Sequence, residues 1–396
     1  MDKAKLLASA AAMTLVAGMA SAQTVKVGVI NTFSGPDSQQ GDMLERGLQL
    51  YYKLHQKDLP PGVSIQLVER DDTGLNPEVA KRLAQELVTR DHVSILTGFV
   101  WSPNFMSVAP VATEAKVPAI SMNAAAIGAV GMSPYMVRTS FTLTQQAYPL
   151  GTWAAKHGYK KAFVANTDYA PGNEGSGAFA KAFKEAGGDV VGQVKFPPPP
   201  TTPDFAPYLQ KVKDAKPDVL YIFVPAGAQA TEVMKAARDL DFKGAGITIL
   251  STEDLVPDEE LQNIGDQAIG LVTSGIYTSD ATRAQNKAFV AAYYKEYGTK
   301  MAPDFETADA FDGMKMIFDL VTKMKGKIDG TTAMDFLSNW KDPNSPKGPV
   351  LIDPATRQIV ENVYMRKVAK QGDRLVDVET ENLGMMNALG QPYTAK

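Results

Sequence analysis

The chain of 396 residues contains no cysteine and only three histidines, His55, His92 and His157. The absence of cysteine excludes disulfide bonds, thiolate catalysis, iron–sulfur clusters and cysteine-based zinc sites. Three histidines that stand far apart in the sequence provide little material for acid–base catalysis or for metal binding. This poverty of reactive side chains favours a protein that is not an enzyme.

Charge of one sign is not in excess either, because 40 Lys and Arg stand against 44 Asp and Glu, spread along the chain. A basic footprint for nucleic acid is therefore not indicated. The chain is 44% hydrophobic and 21% charged, which is ordinary for a water-soluble protein that buries a core. At about 150 residues per domain, the length suggests two or three domains.

One long apolar run lies at the N-terminus, where Leu6 to Ala17 follows a head with two lysines and precedes Ala20-Ser21-Ala22. A basic head, an apolar middle and an Ala-x-Ala end are typical of a secretory signal peptide. A membrane anchor is the alternative, but the run is shorter than the roughly 20 apolar residues that span a bilayer. We predict cleavage after Ala22 and a soluble periplasmic protein.

From Gln23 onward, short apolar runs alternate with stretches of helical period. The predicted strands are Val25–Ile30, Ser64–Glu69, Val93–Thr97, Val117–Ser121, Ala162–Ala165, Val190–Phe196, Val219–Val224, Ile247–Leu250 and Ile269–Ser274, with a final pair at Val350–Ile352 and Val360–Val368. Repeated β-α-β order indicates parallel sheets covered by helices on both faces. A break near Arg138 to Leu143 divides the pattern in two. The predicted fold class is therefore α/β, with two Rossmann-like lobes.

Motifs for catalysis and phosphate binding are missing: the sequence has no P-loop, no Gly-x-Gly-x-x-Gly after the first strand, no His-Glu-x-x-His and no Gly-x-Ser-x-Gly. Gly172, Gly175 and Gly177 form a predicted turn ahead of a helix, a weak match to a phosphate cradle. The acidic stretch from Glu253 to Glu260 lacks the alternate-residue spacing of a calcium loop, and we expect it to be solvated. No cofactor and no metal are predicted.

Ligands of parallel α/β sheets bind beyond the carboxyl ends of the strands, so the residues that follow each strand are the candidates for a site. Ser102 is a plausible helix N-cap, with Pro103 as the first helical residue, and such a helix start attracts carboxylates. The same position of Ser102 is equally compatible with a serine that only caps its own helix and binds no ligand. Trp101 and Tyr169, one from each predicted lobe, would supply aromatic walls.

At this point the mature chain resembles the type I periplasmic solute-binding proteins of ABC importers, in the branch of the leucine/isoleucine/valine-binding protein. The likeness rests on motifs that occur in the family's order, namely Val25-Lys-Val-Gly-Val-Ile with Phe33-Ser34-Gly35-Pro36 and Gly41-Asp42, Arg70-Asp71-Asp72, Gly98, Asp168-Tyr169-Ala170-Pro171-Gly172, Pro217-Asp218, Glu253 and Gly348-Pro349-Val350. The resemblance implies two lobes joined by a hinge of three segments. It places residues 23–142 and 276–347 in the N-terminal lobe, and residues 143–275 and 348–396 in the C-terminal lobe.

The resemblance also implies a ligand site between the lobes. Ser102 matches the family's carboxylate-binding serine and Glu253 matches the glutamate that holds a substrate ammonium. The full set of expected ligand-binding residues is Gln40, Trp101, Ser102, Asn123, Ala124, Ala125, Tyr169, Ala226 and Glu253. Two departures matter, because Ala125 stands where amino-acid binders carry a threonine and Pro171 stands at the opposing tyrosine position.

By resemblance, we expect a protein that closes around a small carboxylate ligand and hands it to the membrane permease of an ABC transporter, as a monomer and without nucleic acid. The lost hydroxyl at Ala125 and the presence of Trp101 favour an aromatic acid. Glu253 favours a hydrophobic or branched-chain amino acid, because an unpaired carboxylate facing a neutral ring is costly. We favour the amino acid. A ligand sensor that docks to a membrane receptor stays open as an alternative, and a secreted α/β hydrolase is a weaker one.

Overall fold

The computed structural model describes residues 23–394, so the predicted signal peptide lies outside the described residues. The strands are β1 (Gln23–Asn31), β2 (Val63–Asp71), β3 (Ile95–Gly98), β4 (Ala119–Ser121), β5 (Met136–Arg138), β6 (Lys161–Thr167), β7 (Asp189–Phe196), β8 (Val219–Phe223), β9 (Thr248–Thr252), β10 (Val272–Gly275), β11 (Lys341–Asp342), β12 (Val350–Asp353), β13 (Gln358–Gln371) and β14 (Arg374–Met386). Every predicted strand has a counterpart among them, whereas β5, β11 and β14 were not predicted.

The α-helices are α1 (Ser38–His55), α2 (Pro77–Thr89), α3 (Ser102–Ser107), α4 (Ala109–Ala115), α5 (Leu143–Lys156), α6 (Ala170–Glu185), α7 (Ala206–Ala215), α8 (Ala228–Asp239), α9 (Asp258–Ile264), α10 (Ala284–Tyr297), α11 (Phe305–Lys323) and α12 (Gly330–Leu337). In residues 23–394, none of the helices is both long enough and apolar enough to cross a bilayer.

The first sheet is parallel throughout and has the order β2-β1-β3-β4-β5. Its β1 and β3 are buried on both faces, as their continuous runs of apolar residues predict. Helices α1 and α11 pack against this sheet, and buried residues from the middle of α11 join the valines of β1 in one hydrophobic cluster. We call this half the first lobe.

The second sheet has the order β11-β12-β13-β10-β9-β8-β6-β7, with β14 paired to β13. Strands β6 to β10 are parallel, whereas β13 runs antiparallel to β10, β12 and β14. We call this half the second lobe. The α/β class with two lobes is therefore confirmed, and the chain crosses between the lobes in three segments, at 139–142, 276–283 and 338–349.

The exact lobe boundaries stay a prediction. One detail differs from them, because β11 lies before the predicted boundary at residue 347 yet pairs with β12 in the second sheet.

The three glycines predicted to form a turn lie inside α6 instead. A Cβ atom on Gly172 would stand 2.2 Å from the Thr167 carbonyl oxygen, and one on Gly175 would stand 3.0 Å from Leu143. Glycine is needed at these two positions because α6 lies directly against α5 and the end of β6, whereas Gly177 has open space around it. The three glycines therefore do not form a phosphate cradle.

Candidate ligand-binding site

A small cavity lies between the two lobes, at the carboxyl ends of the parallel strands of both sheets. Its walls are formed by Gln40, Val100, Trp101, Ser102, Asn123 and Ala125 from the first lobe, Phe141 from the hinge, and Leu143, Tyr169, Pro171, Pro225 and Asp254 from the second lobe.

The first-lobe wall begins where β3 ends. Gly98 has a φ of +99°, and a Cβ atom there would lie 2.4 Å from the Ile30 carbonyl oxygen, so glycine allows the chain to turn sharply toward the cavity. Helix α3 then starts at Ser102 itself, with Trp101 in the capping position, so the prediction of Ser102 as the N-cap was wrong. The Ser102 hydroxyl accepts a hydrogen bond from the Ala126 backbone N–H at 3.0 Å. Its own hydrogen is therefore free to be donated to a ligand oxygen.

Trp101 supplies both an apolar surface and a donor. Its side chain is only 2% exposed, and its indole Nε1 has no hydrogen-bond partner within residues 23–394. A buried N–H group without a partner is costly, and a ligand oxygen in the cavity would satisfy it. The ring lies 6.4 Å from that of Tyr169, centroid to centroid, so aromatic surfaces from the two lobes approach each other at the cavity.

Arg138 lies directly behind this wall and was not predicted as part of the site. It is fully buried, and its guanidinium donates to the carbonyl oxygens of Ala124 (3.0 Å), Phe141 (3.2 Å) and Ala126 (2.5 Å). It forms no ion pair within residues 23–394, and burial lowers its pKa to about 9, with Glu174 acting in the opposite direction. The first-lobe wall therefore has a buried cation behind it whose charge Glu174 offsets only in part.

The second-lobe wall carries the opposite charge. Asp254 follows β9, is 9% exposed and accepts a hydrogen bond from the Thr252 hydroxyl at 3.0 Å. Burial raises the pKa of Asp254 to about 6, an effect that Thr252 and Arg366 only partly offset. Tyr169 and Pro225 complete this wall with apolar surface.

Glu253, the expected partner of a ligand ammonium, does not line the cavity. Its carboxylate accepts hydrogen bonds from the Gln146 side chain and from the Ile276 backbone N–H (3.0 Å), and it pairs with Arg366 at 3.3 Å. Burial raises the pKa of Glu253 to about 8, while Arg366 lowers it. The carboxylate is thus occupied by protein groups, and the neighbouring Asp254 faces the cavity in its place.

The expected solvation of the acidic stretch was likewise wrong in part. Glu253, Asp254 and Glu260 are buried, because the turn and the helix that carry them face the other lobe and the hinge.

Contacts across the cleft show that the lobes are closed. The Gln40 side chain donates to the Ala226 carbonyl oxygen at 2.9 Å, and Gln39 donates to Glu260 at 3.0 Å. On the other side of the cavity, the Ile127 backbone N–H donates to Glu174 at 2.7 Å. Each of these hydrogen bonds joins a first-lobe group to a second-lobe group.

The structure brings most of the expected residues together. Gln40, Trp101, Ser102, Asn123, Ala125 and Tyr169 line the cavity; Ala124 and Ala226 lie at its edge, where their carbonyl oxygens accept from Arg138 and Gln40. Asp254 and Arg138 were missed as site residues. Asp254 stands one position after an expected residue, but nothing in the sequence signals Arg138.

Within the described part of the chain, no group of three or more histidine, aspartate or glutamate side chains is arranged to hold a metal ion.

Comparisons with known proteins define the class. The model of the periplasmic binding protein family matches residues 24–373. The chain is 36% identical over 369 residues to Leu/Ile/Val-binding protein homolog 6 of Brucella melitensis, covering 93% of each chain. This protein belongs to the type I periplasmic binding protein family of ABC transporter solute-binding proteins.

Solved structures give the same class with different ligands. A solute-binding protein from Rhodopseudomonas palustris BisB5, in complex with 3,4-dihydroxybenzoic acid, is 40% identical with a TM-score of 0.87, covering 93% of this chain and 99% of that one. Another from R. palustris, in complex with 4-hydroxybenzoate, is 38% identical with a TM-score of 0.88 and the same coverage. A leucine-binding protein from Thermotoga maritima is 23% identical, covers 92% of this chain and 99% of that one, and shares the fold with a TM-score of 0.78.

Proposed function

We propose that this protein is the substrate-binding component of an ABC importer and that it closes its two lobes around an aromatic carboxylate. The observation that carries the proposal is the polarity of the cavity wall. The free donors of Ser102 and Trp101 and the buried charge of Arg138 lie on one side, next to aromatic and aliphatic surface. Such a wall suits a flat anion, with its carboxylate toward the first lobe.

The engagement of Glu253 with Arg366 removes the reason for favouring an amino acid. An α-ammonium needs an acceptor close to the carboxylate, and the glutamate expected in that role is held by three protein groups. The ligands of the two R. palustris proteins are aromatic acids, which supports the proposal of an aromatic carboxylate as the ligand.

A hydrophobic or branched-chain amino acid is the second candidate. Its support is the name of the Brucella relatives and the presence of Asp254, which could accept from an ammonium group.

Thermal unfolding with a ligand panel separates the two. A ligand that binds only the folded protein stabilises it by about 2.7 kcal/mol at a concentration one hundred times its Kd. We expect benzoate, 4-hydroxybenzoate or coumarate to raise the Tm, and leucine and phenylalanine to leave it unchanged. Stabilisation by the amino acids alone would reject the aromatic proposal.

Export and delivery belong to the same proposal. We infer that residues 1–22 are removed after Ala22, that the protein acts as a monomer in the periplasm without catalysing a reaction, and that it docks on a membrane permease. Uptake of labelled ligand should be lost when the gene is deleted. Normal uptake together with a lost response to the ligand would favour a sensor that docks to a membrane receptor.

A further inference from the structure

Asp254 is the single carboxylate among the described residues that line the cavity. The Thr252 hydroxyl donates to its Oδ2, whereas Arg366 directs its charge to Glu253 and Asp377, at 3.3 and 3.0 Å. Asp254 is more than nine-tenths buried. The Asp254 backbone N–H also donates to the carboxylate, which has about four acceptor sites and so keeps capacity for a further donor, and the cavity is where a ligand can bring one.

The opposite wall determines which end of a ligand meets Asp254. Arg138, the Trp101 indole N–H and the Ser102 hydroxyl all attract an anion to the first lobe. The same carboxylate is repelled by Asp254, so an aromatic acid lies with its carboxylate toward the first lobe and its far edge toward the second.

That far edge must carry a donor. An unsubstituted ring would leave the Asp254 carboxylate against C–H groups, which costs the free energy of an unsatisfied buried polar group. An α-ammonium does not fit the orientation, because it is bonded to the carbon next to the carboxylate and would bring both charges to the same wall.

Building on the proposed function, we propose that Asp254 accepts a hydrogen bond from a ring hydroxyl distal to the ligand's carboxylate. It is thereby the residue that selects hydroxylated aromatic acids over unsubstituted ones. Because Asp254 belongs to the second lobe, its hydrogen bond with the ligand hydroxyl forms only when the lobes close. The same contact therefore stabilises the closed state.

The test is isothermal titration of the purified protein with 4-hydroxybenzoate, benzoate and 2-hydroxybenzoate, whose hydroxyl lies beside the carboxylate. A hydrogen bond to a charged group contributes about 1.5–3 kcal/mol, so 4-hydroxybenzoate should bind at least about tenfold tighter than the other two. Asp254→Ala should reduce this preference to about threefold or less, and Asp254→Asn, which keeps the shape, should reduce it in part.

Asp304→Asn is the matched control. Asp304 is also a buried aspartate whose pKa burial raises to about 6, but it caps α11 and does not line the cavity, so its replacement should leave the preference intact.

The possible failures are distinct. If the unaltered protein binds benzoate and 4-hydroxybenzoate equally, or if Asp254→Ala keeps the preference while its ligand-free Tm is unchanged, the role of Asp254 is rejected and the proposed function stands. Binding of leucine that Asp254→Ala abolishes would make Asp254 an ammonium partner and reject both. Binding of none of the aromatic acids would also reject both.

Discussion

Two of the contacts between the lobes, one across the cleft and one at the hinge, are built differently. Across the cleft, the lobes meet through single hydrogen bonds, such as that from Gln40 to the Ala226 carbonyl oxygen. At the hinge, Lys347 lies among Asp309 (2.5 Å), Glu361 (2.7 Å) and Asp312 (3.5 Å), and all four side chains are at most 1% exposed. The two aspartates belong to α11 of the first lobe and Glu361 belongs to β13 of the second.

The difference shows which contact can open. A hydrogen bond contributes about 0.5–1.5 kcal/mol between neutral groups and about 1.5–3 kcal/mol to a charged group, and the groups across the cleft regain water when it opens. A buried ion cluster that loses one member costs about 3–5 kcal/mol, because the remaining charges stay buried without compensation. Opening of the cleft is therefore compatible with the contacts on that side, whereas the hinge side must stay intact through the motion.

The largest expected effect follows from breaking the hinge cluster. Lys347→Met leaves three buried carboxylates without their cation and should lower the free energy of unfolding by about 3–5 kcal/mol. Urea denaturation measures it. Lys370→Met, which removes an exposed lysine paired with Asp266, is the control and should change little. Equal losses in the two variants would show that the cluster does not secure the hinge.

The next effect concerns the cleft wall that meets the ligand. Ser102→Ala should weaken binding of an aromatic carboxylate by about 1.5–3 kcal/mol, because it removes a hydrogen bond to a charged group. Titration calorimetry measures the change. Ser107→Ala on the same helix is the control, since its hydroxyl bonds to the Asn104 carbonyl oxygen outside the cavity. An unaltered Kd in Ser102→Ala would mean that the hydroxyl serves only the Ala126 N–H.

A third test uses pH to act on a cleft contact, with a variant that isolates its contribution. Burial raises the pKa of Glu260 to about 7, although Gln39 from the other lobe lowers it, and Asp304 and Glu259 contribute repulsion. If opening returns Glu260 to water and its ordinary pKa, closure takes up a proton. Ligand affinity should then rise by up to about tenfold between pH 8 and pH 6.

Glu260→Gln checks that pH effect, because glutamine keeps the size of the side chain and does not titrate. The variant should bind with a flatter pH profile over the same interval, as measured by the Kd at both pH values. A profile as steep as that of the unaltered protein would assign the proton to another group.

The smallest expected effect is that of one neutral bond across the cleft. Gln40→Ala removes the donor to Ala226 and should weaken ligand binding by about 0.5–1.5 kcal/mol, mainly through faster dissociation. Stopped-flow release of a bound ligand measures the rate. Gln49→Ala is the control, because Gln49 lies on the same helix but is hydrogen-bonded to Glu45 and Glu69. The ligand should dissociate from this variant at the same rate as from the unaltered protein. Slower release of the ligand from Gln40→Ala would show that the hydrogen bond between Gln40 and Ala226 does not help to hold the cleft closed.

Much of the fold follows from local pattern, because buried parallel strands are continuous apolar runs and the segments between them have helical period. The strands that escaped prediction lack that signal: β5 and β11 have three and two residues, and β14 includes the exposed polar residues Thr380 to Asn382. Their pairing partners lie on other strands and decide their structure.

The candidate site likewise contains residues that the sequence predicts and residues that only the fold identifies. Trp101, Ser102, Asn123 and Tyr169 lie together around the cavity because parallel strands deliver the residues after them to one edge. The choice between Glu253 and Asp254 could not be predicted, since it depends on Arg366, which stands 113 positions further along the chain. Arg138 is identified only by the carbonyl oxygens that the fold places around it.

Arg138 has a consequence for the rate at which a ligand can be captured. Its guanidinium is stripped of water and fixed in orientation as the chain folds, so no solvent shell has to reorganise around it when an anion arrives. The cost of placing this charge in a low dielectric is carried by the folding equilibrium and not by the binding step. Burial of this charge lowers the stability of the folded protein, and the guanidinium is therefore already in place before a ligand binds. Repeated binding and release of ligand do not change it.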